Sequence, residues 1–356
     1  MYKLLKKSPY TAAEYGLILL TATYIFGGWL LAGQYGLSET FRPLIYIQAG
    51  YVLTKLLLFL FVIGWGLSAL RVILFDRPKN LKKYIWDDLR AGPLNAERYI
   101  RAVPVFICFL FFFSTFTSLK FMIPGINPFS WDTYFADLDS TIHGGTDPWQ
   151  LLQPLLGHPY VTLLINFVYN MWLLGLYLVL YSQLFSLKNP LLRLKFFYTF
   201  MLTWILNGTI LAIFFSSAGP CYYDLITGSD RFMPLMEYLL GVSPWEKPIW
   251  SLDTQLLLWN DYISNSMGIG AGISAMPSVH VATAFLFMLL GFSTKKLFWK
   301  VVSVIYLLLI MIGSIHLGWH YAVDGYFSIL TTWTIWAAAG IFIDRFRCCS
   351  RATEVP

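Results

Sequence analysis

Charged side chains are what this chain has least of. Only 12% of its 356 residues are Asp, Glu, Lys or Arg, about half the share found in soluble domains, which excludes an ordinary water-exposed globular surface. Cysteine is scarce too: Cys108, Cys221 and the adjacent Cys348-Cys349 are the four. The span map below places them in different compartments, so a disulfide framework is excluded. Internal repeats, low-complexity tracts and a separate soluble domain are absent as well. What fills the chain instead is 57% hydrophobic residues at a mean hydropathy of +0.61, the composition of a polytopic, all-α membrane protein.

A membrane-spanning helix needs about 20 mostly apolar residues. Eight stretches are candidates, near 12–33, 45–70, 102–124, 159–187, 194–216, 279–293, 297–315 and 321–343, with the sixth and seventh the shortest. Lys3, Lys6 and Lys7 precede the first as they would precede a signal peptide. No small-residue cleavage site follows, so it reads as a retained helix. Loops on the cytoplasmic side carry the Lys and Arg excess. With the N-terminus inside, 20 of the 25 Lys and Arg fall inside, Arg42, Arg231 and Lys247 fall outside, and Lys55 and Lys120 lie within spans. This map puts both termini in the cytoplasm and explains the net charge of +6 by orientation, without a nucleic-acid partner. The basic segment 71–101 reads as a cytoplasmic connector resting on anionic lipid. Beside the last span, Cys348-Cys349 reads as an unmodified tail or, alternatively, a palmitoylation site.

The map also gathers all five histidines, His143, His158, His280, His316 and His320, at or near the outer face. Two outer loops, about 125–158 and 217–278, are longer than connectors need to be. The first contains Trp131-Asp132-Thr133-Tyr134-Phe135, a pattern that suits a helix lying at the interface. Ionisable groups at the rim of a membrane are expensive and by default functional. The end of the fifth span, the start of the sixth and the end of the seventh all reach the outer surface. They carry Gly219-Pro220-Cys221-Tyr222-Tyr223, Pro277-Ser278-Val279-His280 and His320-Tyr321-Ala322-Val323-Asp324. Pro277 and Ser278 form a helix-start signal, and the amides of such a start can hold a phosphate. His320 and Asp324 share a helix face at i, i+4. A carboxylate there can take one ring N–H and leave the other nitrogen a better nucleophile.

These motifs resemble those of the type 2 phosphatidic acid phosphatase superfamily and, within it, the inositol phosphorylceramide synthase-like, or inositolphosphotransferase, branch. The superfamily's second motif, Pro-Ser-Gly-His, is matched by Pro277-Ser278-Val279-His280. Its third, ending His-x-x-x-Asp, is matched by His320 and Asp324. The resemblance covers roughly residues 100–340 and implies a six-helix catalytic core over 101–345. Two helices and the basic connector would precede it over 1–100, and a cytoplasmic tail would follow over 346–356. It further implies a metal-independent lipid phosphotransferase or phosphatase without a cofactor, acting on membrane lipids. His320 would be the nucleophile, Asp324 its orienter, His280 the acid for the leaving group and Ser278 a phosphate contact.

Departures from the pattern are equally visible. Gly313-Ser314 replaces the Ser-Arg before the third motif, Val279 replaces a glycine, and there is no Lys-x6-Arg-Pro motif. A phosphoryl transition state needs cationic stabilisation, and three residues can supply it: Arg231, ranked first because a guanidinium grips two phosphate oxygens, Lys120 and Lys247. Arg231 paired with Asp230 or Asp224 is the competing reading. Tyr222 and Tyr223 are further binding candidates. His316, one turn before His320, reads as a hydrogen-bonded wall of the site. The alternative, a His316/His320/Asp324 zinc stripe, is sterically feasible. Water, a lipid hydroxyl or a polyol hydroxyl could each accept the phosphoryl group, which separates phosphatase from transferase. A transporter is the reading from another class, but the polar residues cluster at one face and no corresponding broken helices occur.

Overall fold

In the computed structural model, residues 11–76, 79–91, 95–242 and 249–352 are described. Among them every regular element is a helix. Lys3, Lys6, Lys7, Arg77 and Lys247 lie outside the described residues, as do the side chains of Cys348-Cys349.

The chain begins with α1 (Thr11–Gln34), α2 (Tyr46–Arg71) and the short α3 (Leu81–Ala91) of the basic connector. The long α4 (Ala96–Ile126) starts where the Asn95 side chain accepts from the amides of Glu97 and Arg98, two donors that a helix start otherwise leaves unpaired. The loop that follows folds into α5 (Asp132–Ile142) and α6 (Pro148–Leu156). Next come α7 (Pro159–Asn170) and α8 (Trp172–Leu184), which together form one span, and α9 (Pro190–Phe214). A π turn at Leu206–Ile210 interrupts α9. The long loop 217–278 holds α10 (Tyr223–Thr227), α11 (Met233–Gly241) and α12 (Trp250–Ile263). The chain closes with α13 (Val279–Phe292), α14 (Leu297–His316) and α15 (Ala322–Ala352).

All eight apolar stretches are therefore helical. Six helical segments among the described residues are long and apolar enough to cross a membrane, while Val62–Phe75 and Val279–Phe292 are shorter apolar stretches. The 14 residues of α13 extend only about 21 Å, less than a hydrocarbon core of roughly 30 Å. The helix is sheathed by protein instead, packing against α8, α9, α14 and α15, with every residue from Val281 to Phe287 buried.

Two polar ties bind α1 to this bundle. The Tyr24 and Thr209 hydroxyls lie 2.7 Å apart, and Arg193 Nη1 donates to Glu14 at 2.8 Å. Arg193 is 2% exposed and also donates to the carbonyls of Gln183, Leu184 and Arg101. It thus closes the end of α8.

Candidate active site

Hydrogen bonds sew three helix ends together. Ala275 N donates to Ser217 O at 2.9 Å and Cys221 N to Gly318 O at 2.8 Å, while Met276 N donates to Ser217 Oγ at 3.1 Å. Gly219 sits where these segments touch, at a φ of +100° that favours glycine, and a Cβ there would meet Trp319 O at 2.6 Å. The close approach therefore tolerates no side chain.

At this junction His320 Nδ1 lies 2.8 Å from Ala275 O and 3.3 Å from Asp324 Oδ2. Both partners are acceptors, so Nδ1 carries the proton and Nε2 keeps its lone pair. Nε2 faces His280 Nδ1 at 3.5 Å. Burial pushes the His320 ring down to about 3, which keeps it neutral at physiological pH. The nearer orienting group is thus the Ala275 carbonyl. Asp324, fully buried, also accepts from Tyr321 N at 3.0 Å and so holds the turn that presents the histidine. His280 is fixed by ring contacts, with its centroid 4.3 Å from that of Trp172 and 5.2 Å from that of Tyr169.

Both histidines line a cavity of about 360 Å³, along with Lys120, Asn170, Tyr222 and Trp319. Lys120, near the end of α4, is the lone Lys or Arg in that lining among the described residues. Lys120, and not Arg231, is thus the cation beside the two histidines. Arg231 does not line the cavity: its guanidinium donates to Asp147 at 3.0 and 2.7 Å, to Asp137 at 2.6 Å and to Ala136 O at 2.9 Å. All three of its nitrogens are engaged in tying the loop 217–278 to α5 and the start of α6. The partners differ from Asp230 and Asp224, the carboxylates nearest in sequence.

The remaining candidates divide. Tyr222 borders the cavity and donates to Gln255 O at 2.8 Å, whereas Tyr223 packs behind it on Phe232. Ser278 is fully buried and does not reach the cavity lining. It caps α13 by accepting from Val281 N, so its side chain positions the helix start instead of projecting at a ligand. His316 points away from His320, its Nε2 2.8 Å from Thr162 Oγ1. No group of three or more His, Cys, Asp or Glu placed to hold a metal occurs among the described residues.

Other contributors carried no motif. Asp132 accepts from the amides of Ala218 and Gly219 at 2.9 and 2.8 Å and from the Tyr321 hydroxyl at 2.9 Å. Asp139, one helical face along, accepts from Ala322 N and Val323 N at 2.7 and 3.0 Å, satisfying first-turn donors of α15. Burial raises both carboxyls, that of Asp139 to about 6. The expected interfacial helix α5 thus turns its acidic face inward as the scaffold of the third motif. Trp319 also lines the cavity, and its buried indole N–H has no partner among the described residues. The visible signal for Trp319 was adjacency to His320. Nothing local marked Asp132 or Asp139.

Comparison with curated proteins and with solved structures returns no match for either. A family model does match, over residues 133–338, a stretch that holds α5 to α14, most of α15, and both histidines of the cavity. The chain belongs to the PAP2 superfamily.

Proposed function

We propose that this protein is an integral membrane phosphotransferase that moves a lipid-linked phosphate through a phosphohistidine on His320, passing a phosphorylated head group to a lipid or polyol hydroxyl. The observation that carries the reading is the anchored ring: Nδ1 on Ala275 O and Asp324, Nε2 beside His280 above a cavity containing Lys120. In the first step the Nε2 lone pair forms a bond to phosphorus, the bond from phosphorus to the leaving oxygen breaks, and His280, entering the cycle as the imidazolium, delivers the proton that this oxygen needs and becomes neutral. In the second step an acceptor hydroxyl forms the new bond to phosphorus as the P–N bond breaks, and His280 takes the hydroxyl proton. Lys120 and the Trp319 N–H stabilise the equatorial oxygens, together with the first amides of α13. Tyr222 borders the acceptor side. Head-group transfer is favoured by the resemblance to the inositol phosphorylceramide synthase-like branch and by the lack of the first-motif cations. Hydrolysis is the second reading, supported by membership of a superfamily that includes phosphatases.

Catalysis in this reading needs no metal, and the site opens to the outer face with both termini in the cytoplasm. The test is turnover of labelled lipid phosphates by purified protein with excess chelator, with and without polyols. Transfer predicts label in a polyol or lipid product, and hydrolysis predicts free phosphate or free head-group phosphate. Loss of activity in chelator, restored by zinc, would remove the histidine nucleophile. His280→Ala should abolish turnover, and Asp324→Asn should lower it by roughly two to four decades.

A further inference from the structure

A second, apolar cavity of about 230 Å³ adjoins the first and shares Tyr46, Phe113, Leu173 and Tyr177 with it. Its remaining wall is almost entirely hydrocarbon or aromatic, formed by Gly50 of α2, Phe106, Phe109 and Leu110 of α4, Leu180, Tyr181 and Leu184 of α8, and Ile269 before α13. Together the two cavities follow α8 from Trp172, against His280, to Leu184 at its far end. That helix has 13 residues, so the path is roughly 20 Å long, more than half of a hydrocarbon core roughly 30 Å thick. A phosphate-sized head group would occupy only the outer end.

The wall contributed by α2 is a made contact. The Thr54 and Tyr181 hydroxyls lie 3.2 Å apart and join α2 to α8 beside the arm. A Cβ at Gly50 would press on the Leu110 side chain and make it shift, so glycine here leaves Leu110 its place between α2 and α4. Both α2 and α4 precede the matched stretch of residues 133–338. The apolar arm is therefore built jointly, half of its lining from α2 and α4 ahead of the matched stretch and half from α8 and Ile269 within it.

Resting on the lipid-phosphate reading above, we propose that this arm holds one acyl chain of the substrate while its phosphate lies at His320, so that chain length helps select the lipid. The continuity with the cavity fixes the occupant: a chain attached to a head group at His280 and His320 has the arm directly beneath it. Leu173, half exposed, stands at the neck where the chain would slip in sideways from the bilayer.

The test uses wild-type protein in bilayers and a non-cleavable phosphonate analogue carrying a diazirine at the end of one long chain. After illumination, labelled residues are read by mass spectrometry. The arm predicts label on Phe106, Phe109, Leu110, Leu180, Tyr181 and Leu184 at about tenfold the level on Leu174 and Leu178, which are 41% and 48% exposed on α8. Excess unlabelled lipid phosphate should suppress that label, and a neutral lipid of the same chain length should not. Equal labelling of the two faces would overturn the arm. Turnover of lipid phosphates without label in the arm would overturn it too, leaving the catalytic reading intact. Suppressible label in the arm without any turnover would uphold the arm and remove the catalytic reading.

Discussion

Asp132→Ala tests whether the scaffold of the site is held by one buried carboxylate. The change removes a single acceptor from three donors, Ala218 N, Gly219 N and the Tyr321 hydroxyl, at 2.9, 2.8 and 2.9 Å. Each buried donor left without a partner costs about 1–3 kcal/mol. Water entering the vacated volume recovers part of this, so the expected loss of unfolding free energy is about 3 kcal/mol or more. Asp132→Asn keeps the volume and one carbonyl oxygen, and should lose about 1–2 kcal/mol. Denaturant unfolding in detergent measures both, and a cycle with Tyr321→Phe isolates the hydroxyl. Coupling of about 0.5–3 kcal/mol is expected for residues in contact within one network. The same loss of anchorage frees the turn from Tyr321 back to His320, so activity should fall by more than the unfolded fraction explains. If Asp132→Ala unfolds within about 0.5 kcal/mol of wild type, the ordinary range for surface changes, or if it adds simply to Tyr321→Phe, the reasoning fails.

Lys120 and Arg231 separate cleanly: Lys120→Ala should cost two or more decades of kcat, about 3 kcal/mol of transition-state stabilisation, with folding intact. Arg231→Ala should instead lower stability, because it leaves Asp147 buried without its partner, and the folded fraction should keep near-normal kcat; the opposite pattern would restore Arg231 as the phosphate ligand. With a phosphodiester donor, which has no group titrating near neutrality, kcat/KM should show no acid limb at 6.5 from His320. Burial holds that ring neutral down to about 3, and protonation removes the lone pair only below that, so a limb centred on the ordinary histidine value would contradict the buried nucleophile. Single cysteines at Thr146 or Ser229 should react with an impermeant thiol reagent in intact cells and one at Ser350 should not; labelling of both classes from the same side would refute the orientation.

What could be read along the chain depended on the distance between partners. His320 and Asp324 are four residues apart, and Pro277-Ser278 marks a helix start by local chemistry; spacing paired the first two, and the directions of the spans set both beside one face. Arg231 illustrates the opposite case. Its nearest acids in sequence are not its partners, and the carboxylates that hold it are 94 and 84 residues away. Asp132 and Asp139 reach donors 86 and 183 residues distant, and neither lies in a motif. Lys120 looked like a span residue because hydropathy records depth and not the face a residue presents. Only the packing of α4 beside α8 and α9 puts it in the cavity. The helices themselves were legible because the membrane demands long apolar runs, and α13 departed from that length because protein sheathes it.

The central claim is that His320 forms a bond to phosphorus, and the direct measurement is to trap that bond. Protein mixed with a lipid donor labelled at phosphorus, quenched in alkali within a turnover and digested, should yield an acid-labile, base-stable phosphohistidine on the peptide containing His320. The label should vanish in His320→Ala and persist, undischarged, when the acceptor is withheld. A label that survives in His320→Ala, or an active enzyme in which no phosphohistidine forms at any time, would contradict the account.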